Sequence, residues 1–90
     1  GEDHFFPSPA TGDWADFAYC MESPGTARIR IYNTVGDLAV KLEYAKGAGA
    51  QSTALNTGRM APGVYLYLLE KDYDNGTSSK SAVKKFVVNH

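Results

Sequence analysis

Apolar and polar residues alternate along this chain with a period of two, the spacing that puts successive side chains on opposite faces of a strand. The cleanest case is the run 27–32, where Ala27, Ile29 and Ile31 interleave with Arg28 and Arg30. Phe17, Tyr19 and Met21 share one face over 16–21, and Leu38, Val40 and Leu42 share one face over 38–44. Residues 51–55 read as a weak strand, 64–71 as the strongest and 82–88 as the last. Phe5-Phe6-Pro7-Ser8-Pro9 reads as an extended opening segment, because a residue before proline is pushed away from helical backbone. The nearest approach to a helix, 41–54, is interrupted by Gly47 and Gly49, each costing about 1 kcal/mol in a helix interior.

Turn signals separate these runs. Ser23-Pro24-Gly25 bends the chain, residues 33–36 form a turn, 47–49 a loop, and Asn56-Thr57-Gly58 another turn. The polar run Thr77, Ser78, Ser79 and Ser81 is placed at a hairpin tip. There is no internal repeat. About seven short strands in 90 residues predict an all-β fold, a single seven-stranded antiparallel β-sandwich of immunoglobulin-like or fibronectin-III-like type.

The composition suits one small domain. Hydrophobic residues make up 43% of the chain, enough for one core, and the formal net charge is −1. A balanced charge excludes a broad grip on nucleic acid or an anionic membrane, which needs clustered cations. The only adjacent basic pair is Lys84-Lys85. No apolar run approaches the roughly 20 residues that span a bilayer, so no membrane insertion is expected. The single cysteine, Cys20, has no internal partner and no metal-ligand spacing around it. No signal-peptide pattern opens the sequence. Residues 1–4 read as a linker or expression remnant ahead of a module over 5–90, cut from a larger protein.

Asp72-Tyr73-Asp74-Asn75-Gly76 looks like a calcium loop, but its register is wrong. Counted from Asp72, the glycine falls at the fifth position, where an EF-hand has it at the sixth, and Val83 occupies the twelfth, where a glutamate closes the shell. Asn75-Gly76 between two strand runs reads instead as a hairpin turn, because both residues tolerate positive φ. Asn75-Gly76-Thr77 also fits the glycosylation acceptor pattern. Catalysis is not expected. The only histidines, His4 and His90, sit at the two ends, where no base is held against a nucleophile. Cys20 reads as a small strand residue and the carboxylates as scattered surface charge. Gly47-Ala48-Gly49 lacks the helix and lysine of a phosphate loop. No cofactor and no metal are expected.

Two surface features remain. Trp14, Tyr32, Tyr44 and Tyr73 lie at strand ends or loops and form a candidate platform for stacking on sugar rings, which makes a carbohydrate-binding module the alternative function and polysaccharide the alternative partner. Strand 64–71 is apolar on both faces, so Leu66 and Leu68 are either covered by a neighbouring domain or form a contact patch.

Four pieces in order carry a family resemblance. Phe6-Pro7-Ser8-Pro9 stands where the modules in question open with an aromatic residue and Pro-Asn-Pro. The stretch 29–38 runs a strand into Tyr32, a turn and Gly36. Pro62-Gly63-Val64-Tyr65-Leu66-Tyr67 opens a late strand, and Lys84-Lys85-Phe86-Val87-Val88 forms the last. The chain, over 6–88, resembles the C-terminal immunoglobulin-like modules of secreted bacterial proteins, notably the type IX secretion sorting domain and the flagellar hook-capping immunoglobulin-like domain. The resemblance implies a non-catalytic accessory module acting in sorting, attachment or interdomain spacing. Its partners would be secretion machinery or a neighbouring domain, and its location extracellular or at the bacterial cell surface. Phe6, Pro7, Pro9, Gly36, Gly63, Tyr65, Lys85 and Phe86 carry the motif. By the same resemblance Tyr65 is a tyrosine corner, its hydroxyl bonding back to nearby backbone.

Overall fold

In the computed structural model, which describes residues 3–6 and 12–89, the alternating runs become eight strands. These are β1 (His4–Phe6), β2 (Trp14–Met21), β3 (Gly25–Asn33), β4 (Leu38–Lys46), β5 (Gly49–Asn56), β6 (Gly63–Tyr73), β7 (Ser78–Lys80) and β8 (Lys84–Val88). A 3-10 turn, Thr57–Arg59, joins β5 to β6; the Asn56 side chain caps it by accepting from the Gly58 N–H. Every pairing among these strands is antiparallel. One sheet has the order β1-β2-β5 and the other β4-β3-β6, with β7 and β8 sharing the far edge of β6. His4, placed by the sequence in a leading segment, opens β1 opposite Ala18. Pro7, Ser8 and Pro9 lie outside the described residues.

The two sheets face each other across one core. Period two delivers Ala15, Phe17, Tyr19 and Met21 from β2, Ala27, Ile29 and Ile31 from β3, and Tyr65, Tyr67 and Leu69 from β6 to the interior. Phe86 of β8 is the hub. Its ring stacks on Phe5 at 4.1 Å and on Tyr65 at 5.6 Å, and it meets Phe17 edge-on at 6.0 Å. Burying each such ring contributes about 1.5–3 kcal/mol. The buried threonines are paired: the hydroxyls of Tyr19 and Thr53 lie 2.6 Å apart, and the Thr57 hydroxyl donates to the Gly12 carbonyl at 2.8 Å.

The structure corrects the strand count from seven to eight, and the reason lies in the last hairpin. The tip needs only residues 74–76. Gly76 N–H donates to the Tyr73 carbonyl and Tyr73 N–H to the Thr77 carbonyl, so the chain returns at once and Ser78–Lys80 pairs with β6. Those serines belong to a strand and not to the tip. Gly76 alone in this turn takes positive φ, 90°, and among the described residues only glycines do so. The expected hairpin turn is therefore a three-residue closure with a glycine bulge, in which Gly76 alone uses the left-handed backbone that both residues tolerate. Asn75 contributes through its side chain, which accepts from the Thr77 N–H. The β3–β4 turn repeats this design, with Gly36 at φ 93° and the same two backbone bonds between Asn33, Gly36 and Asp37.

Candidate functional site

The four aromatic positions do not form a platform. Trp14 is 60% exposed on the outer face of the three-stranded sheet. Tyr32 is half-buried on the outer face of the other sheet, the opposite side of the sandwich. Tyr44, 49% exposed, projects from the inner side of edge strand β4, opposite Ala27. Tyr73 is buried, with its hydroxyl near the Glu22 N–H, and offers no ring face to a ligand. Strand alternation separates them: each aromatic takes the face its register dictates.

The motif residues of the late strands are brought together. Along the β6–β8 ladder Gly63 faces Val88, Tyr65 faces Phe86 and Leu66 faces Lys85. Tyr65 and Phe86 point inward, and the Tyr65 hydroxyl donates to the Ala61 carbonyl at 2.6 Å. Gly36 closes the hairpin at the same end of the sheet, where Asn33 pairs with Tyr65. Phe6 stands apart, outward on β1 with its ring 5.2 Å from His4.

The outward face of the five-stranded sheet is divided. At one end arginines on β3 sit between carboxylates: Arg28 bonds Glu43 on β4 and Asp72 on β6, and Arg30 bonds Glu70 at 2.7 Å. The Arg28 guanidinium holds the Glu43 carboxyl below its ordinary range, and the carboxylates push both arginines up. At the other end the register lines up Leu38, Tyr32, Leu66 and Lys85 in one row across four strands, flanked by Val64 opposite Val87 and by Leu68. A slip between Ile31 and Tyr32 leaves Ala39 in a bulge and makes Leu38 the partner of Tyr32. This end is apolar with one lysine, a surface suited to burying apolar area against another protein. Leu66 and Leu68 were legible in the sequence as outward apolar residues. The row was not, because it depends on the bulge.

Sequence reasoning also missed a groove at the open side of the sandwich. A cavity of about 420 Å³ lies between β4, the end of β5 and the 3-10 turn, with Val40, Leu42, Leu55 and Met60 as its apolar lining and Arg59 at the polar side. The half-burial of Val40 and Leu42 is a tertiary property with no local signal. Among the described residues no group of His, Cys, Asp or Glu is placed to hold a metal ion, and no helix is long and apolar enough to cross a membrane.

Against known proteins, the family model of the secretion system C-terminal sorting domain matches residues 4–89, nearly the whole chain. No curated protein and no solved structure matches it significantly.

Proposed function

Because the chain belongs to the secretion system C-terminal sorting domain family, we propose that it is a folded export address, read by secretion machinery through the apolar end of its five-stranded sheet. The family gives the coarse role, sorting of the secreted or cell-surface protein to which the domain is attached. The reading goes further in assigning the surface. One observation carries it: Leu38, Tyr32, Leu66 and Lys85 form a continuous outward row where a solvated sheet face ordinarily alternates to polar. Recognition there is surface burial with a cation at the rim, and it requires no bond chemistry. The exposed aromatics favour no sugar-binding reading, since Trp14, Tyr32 and Tyr44 take separate faces.

The test is a secreted reporter fused to the domain in a host that carries the secretion system. Leu66→Asp places a carboxylate in the middle of the row, and Ser52→Asp places one on the opposite outer face. The expectation is that Leu66→Asp lowers reporter export about tenfold or more while Ser52→Asp leaves it unchanged, with both domains folded by circular dichroism. Wild-type export by a folded Leu66→Asp domain would remove this face from the mechanism.

A further inference from the structure

β4 is the edge of its sheet. One side of the strand is paired to β3, and among the described residues neither a strand nor a backbone hydrogen bond reaches its other side. Natural sheets usually guard such an edge with charge, proline or a bulge, because unpaired N–H and C=O groups template another strand. Here the bulge at Ala39 ends the regular stretch on one side, leaving Val40 to Tyr44 straight and free of proline. The charges on that stretch, Lys41 and Glu43, are opposite in sign and flank Leu42 symmetrically.

That symmetry has a geometric consequence. If two copies of β4 pair antiparallel about a two-fold axis through Leu42, Leu42 faces itself, each Lys41 faces Glu43 of the other copy, and each Val40 faces Tyr44. Directly opposed residues of an antiparallel pair share a face, so both opposed ion pairs form on the outer side and both apolar pairs on the inner side. The inner side is where β4 is undersatisfied: Val40 and Leu42 are only half-buried, Tyr44 is 49% exposed, and the groove over Leu55 and Met60 adjoins them. In this pairing Tyr44 of the second copy would stand beside Val40, which lines that groove. A register one residue away would set these charges out of opposition and turn the apolar side chains to the wrong face.

We propose that β4 is a self-association edge, through which two copies of this chain join their five-stranded sheets into one continuous sheet about an isologous two-fold axis. The export row touches β4 only at Leu38, outside the stretch Val40 to Tyr44 that pairs here, and the two readings are probed by different substitutions, Leu66→Asp for export and the charge swap at Lys41 and Glu43 for association, so one can fail without the other.

The pairing makes a charge-swap test available. In Lys41→Glu each two-fold contact sets glutamate against Glu43, and in Glu43→Lys each sets lysine against Lys41. When the two variants are mixed, the carboxylate introduced at position 41 of one chain meets the ammonium introduced at position 43 of the other. The second contact of that heteropair keeps the native Lys41–Glu43 opposition. Sedimentation equilibrium and native mass spectrometry of the 90-residue chain would measure the dimer over micromolar to millimolar concentration, with circular dichroism reporting fold. The expected result is a wild-type dimer, each single variant dimerising about tenfold or more weakly, and a 1:1 mixture recovering the dimer as the heteropair. A wild-type chain monomeric throughout, variants that dimerise as the wild type does, or a mixture no stronger than its components would overturn the proposal.

Discussion

Glu43 shows how a single side chain is tuned by its sheet neighbours. Arg28 faces it across the β3–β4 ladder and also holds Asp72, so one guanidinium bridges three strands. The hydrogen bond from Arg28, then its charge, lowers the Glu43 pKa. An unfolded chain has no such partner, and its glutamate titrates near about 4.3. As pH falls, the unfolded state takes up the proton first. The contribution of this pair to stability is therefore complete above about pH 5, weakens through the ordinary glutamate range and is gone once pH falls below the depressed folded value. Carboxyl-carbon NMR of Glu43 should show a midpoint below the ordinary value in the wild type. It should move up toward the ordinary glutamate value in Arg28→Ala. An unchanged midpoint would mean that the ion pair does not persist in solution. Single residues also differ in how much of their role the sequence carries. Tyr65 was legible because its motif, Pro62-Gly63-Val64-Tyr65, is local, and its hydroxyl bonds only as far back as Ala61. Gly25 was not. It reads as part of a turn after Pro24, yet it opens β3 against β6, where a Cβ would collide with the Asp72 carbonyl and lie 2.7 Å from the Tyr73 Cα.

Strands were legible where two-residue alternation of apolar side chains was strong, and invisible where pairing alone makes them. β3 and β6 announce themselves, and their ends moved by only a few residues. Ser78–Lys80 has no apolar alternation and is extended only because the turn delivers it to the free edge of β6. The sequence reads 82–88 as one strand, but ordered pairing starts at Lys84. Between β7 and β8 the chain departs from β6 at Ser81, and the side chain repairs the gap. Ser81 N–H donates to the Leu69 carbonyl at 2.8 Å, while the Leu69 N–H donates to the Ser81 hydroxyl oxygen at 2.9 Å. Ser81→Ala removes that acceptor and leaves a half-buried amide without a protein partner, which costs about 1–3 kcal/mol. Denaturant unfolding should register the loss, and hydrogen exchange should localise it as a faster Leu69 amide with the neighbouring Tyr67 amide little changed. If Ser81→Ala matches the wild type in both, the hydroxyl is dispensable to the ladder.

At the scale of the whole molecule the sandwich has two unlike sides. On one, Lys71 and Lys84 point inward and tie the sheets together: Lys71 bonds the Cys20 carbonyl at 2.6 Å, and Lys84 bonds the Asp3 carbonyl at 2.8 Å. On the other, β4 and β5 leave the groove open. Between them a domain of 90 residues carries a total stability of only about 5–13 kcal/mol at the usual per-residue rate. If export is read from the folded surface as proposed, Phe86 couples that margin to it. It lies in the last strand, stacks on rings from β1 and β6 and meets Phe17 of β2, so it touches both sheets. Phe86→Ala should cost about 3–5 kcal/mol, a large part of the margin. Val87, the next residue, lies on the outward face opposite Val64 and is only half-buried, so Val87→Ala should cost about 1 kcal/mol or less. Phe86→Ala separates two ways in which such a domain can be read. If the machinery reads a folded face, Phe86→Ala loses reporter export in step with the loss of native circular dichroism, and lowering the temperature restores both together. If it reads the extended residues of β8 as a linear signal, an unfolded Phe86→Ala domain still exports its reporter. The first outcome is expected, because the row of Leu38, Tyr32, Leu66 and Lys85 exists only when four strands are in register.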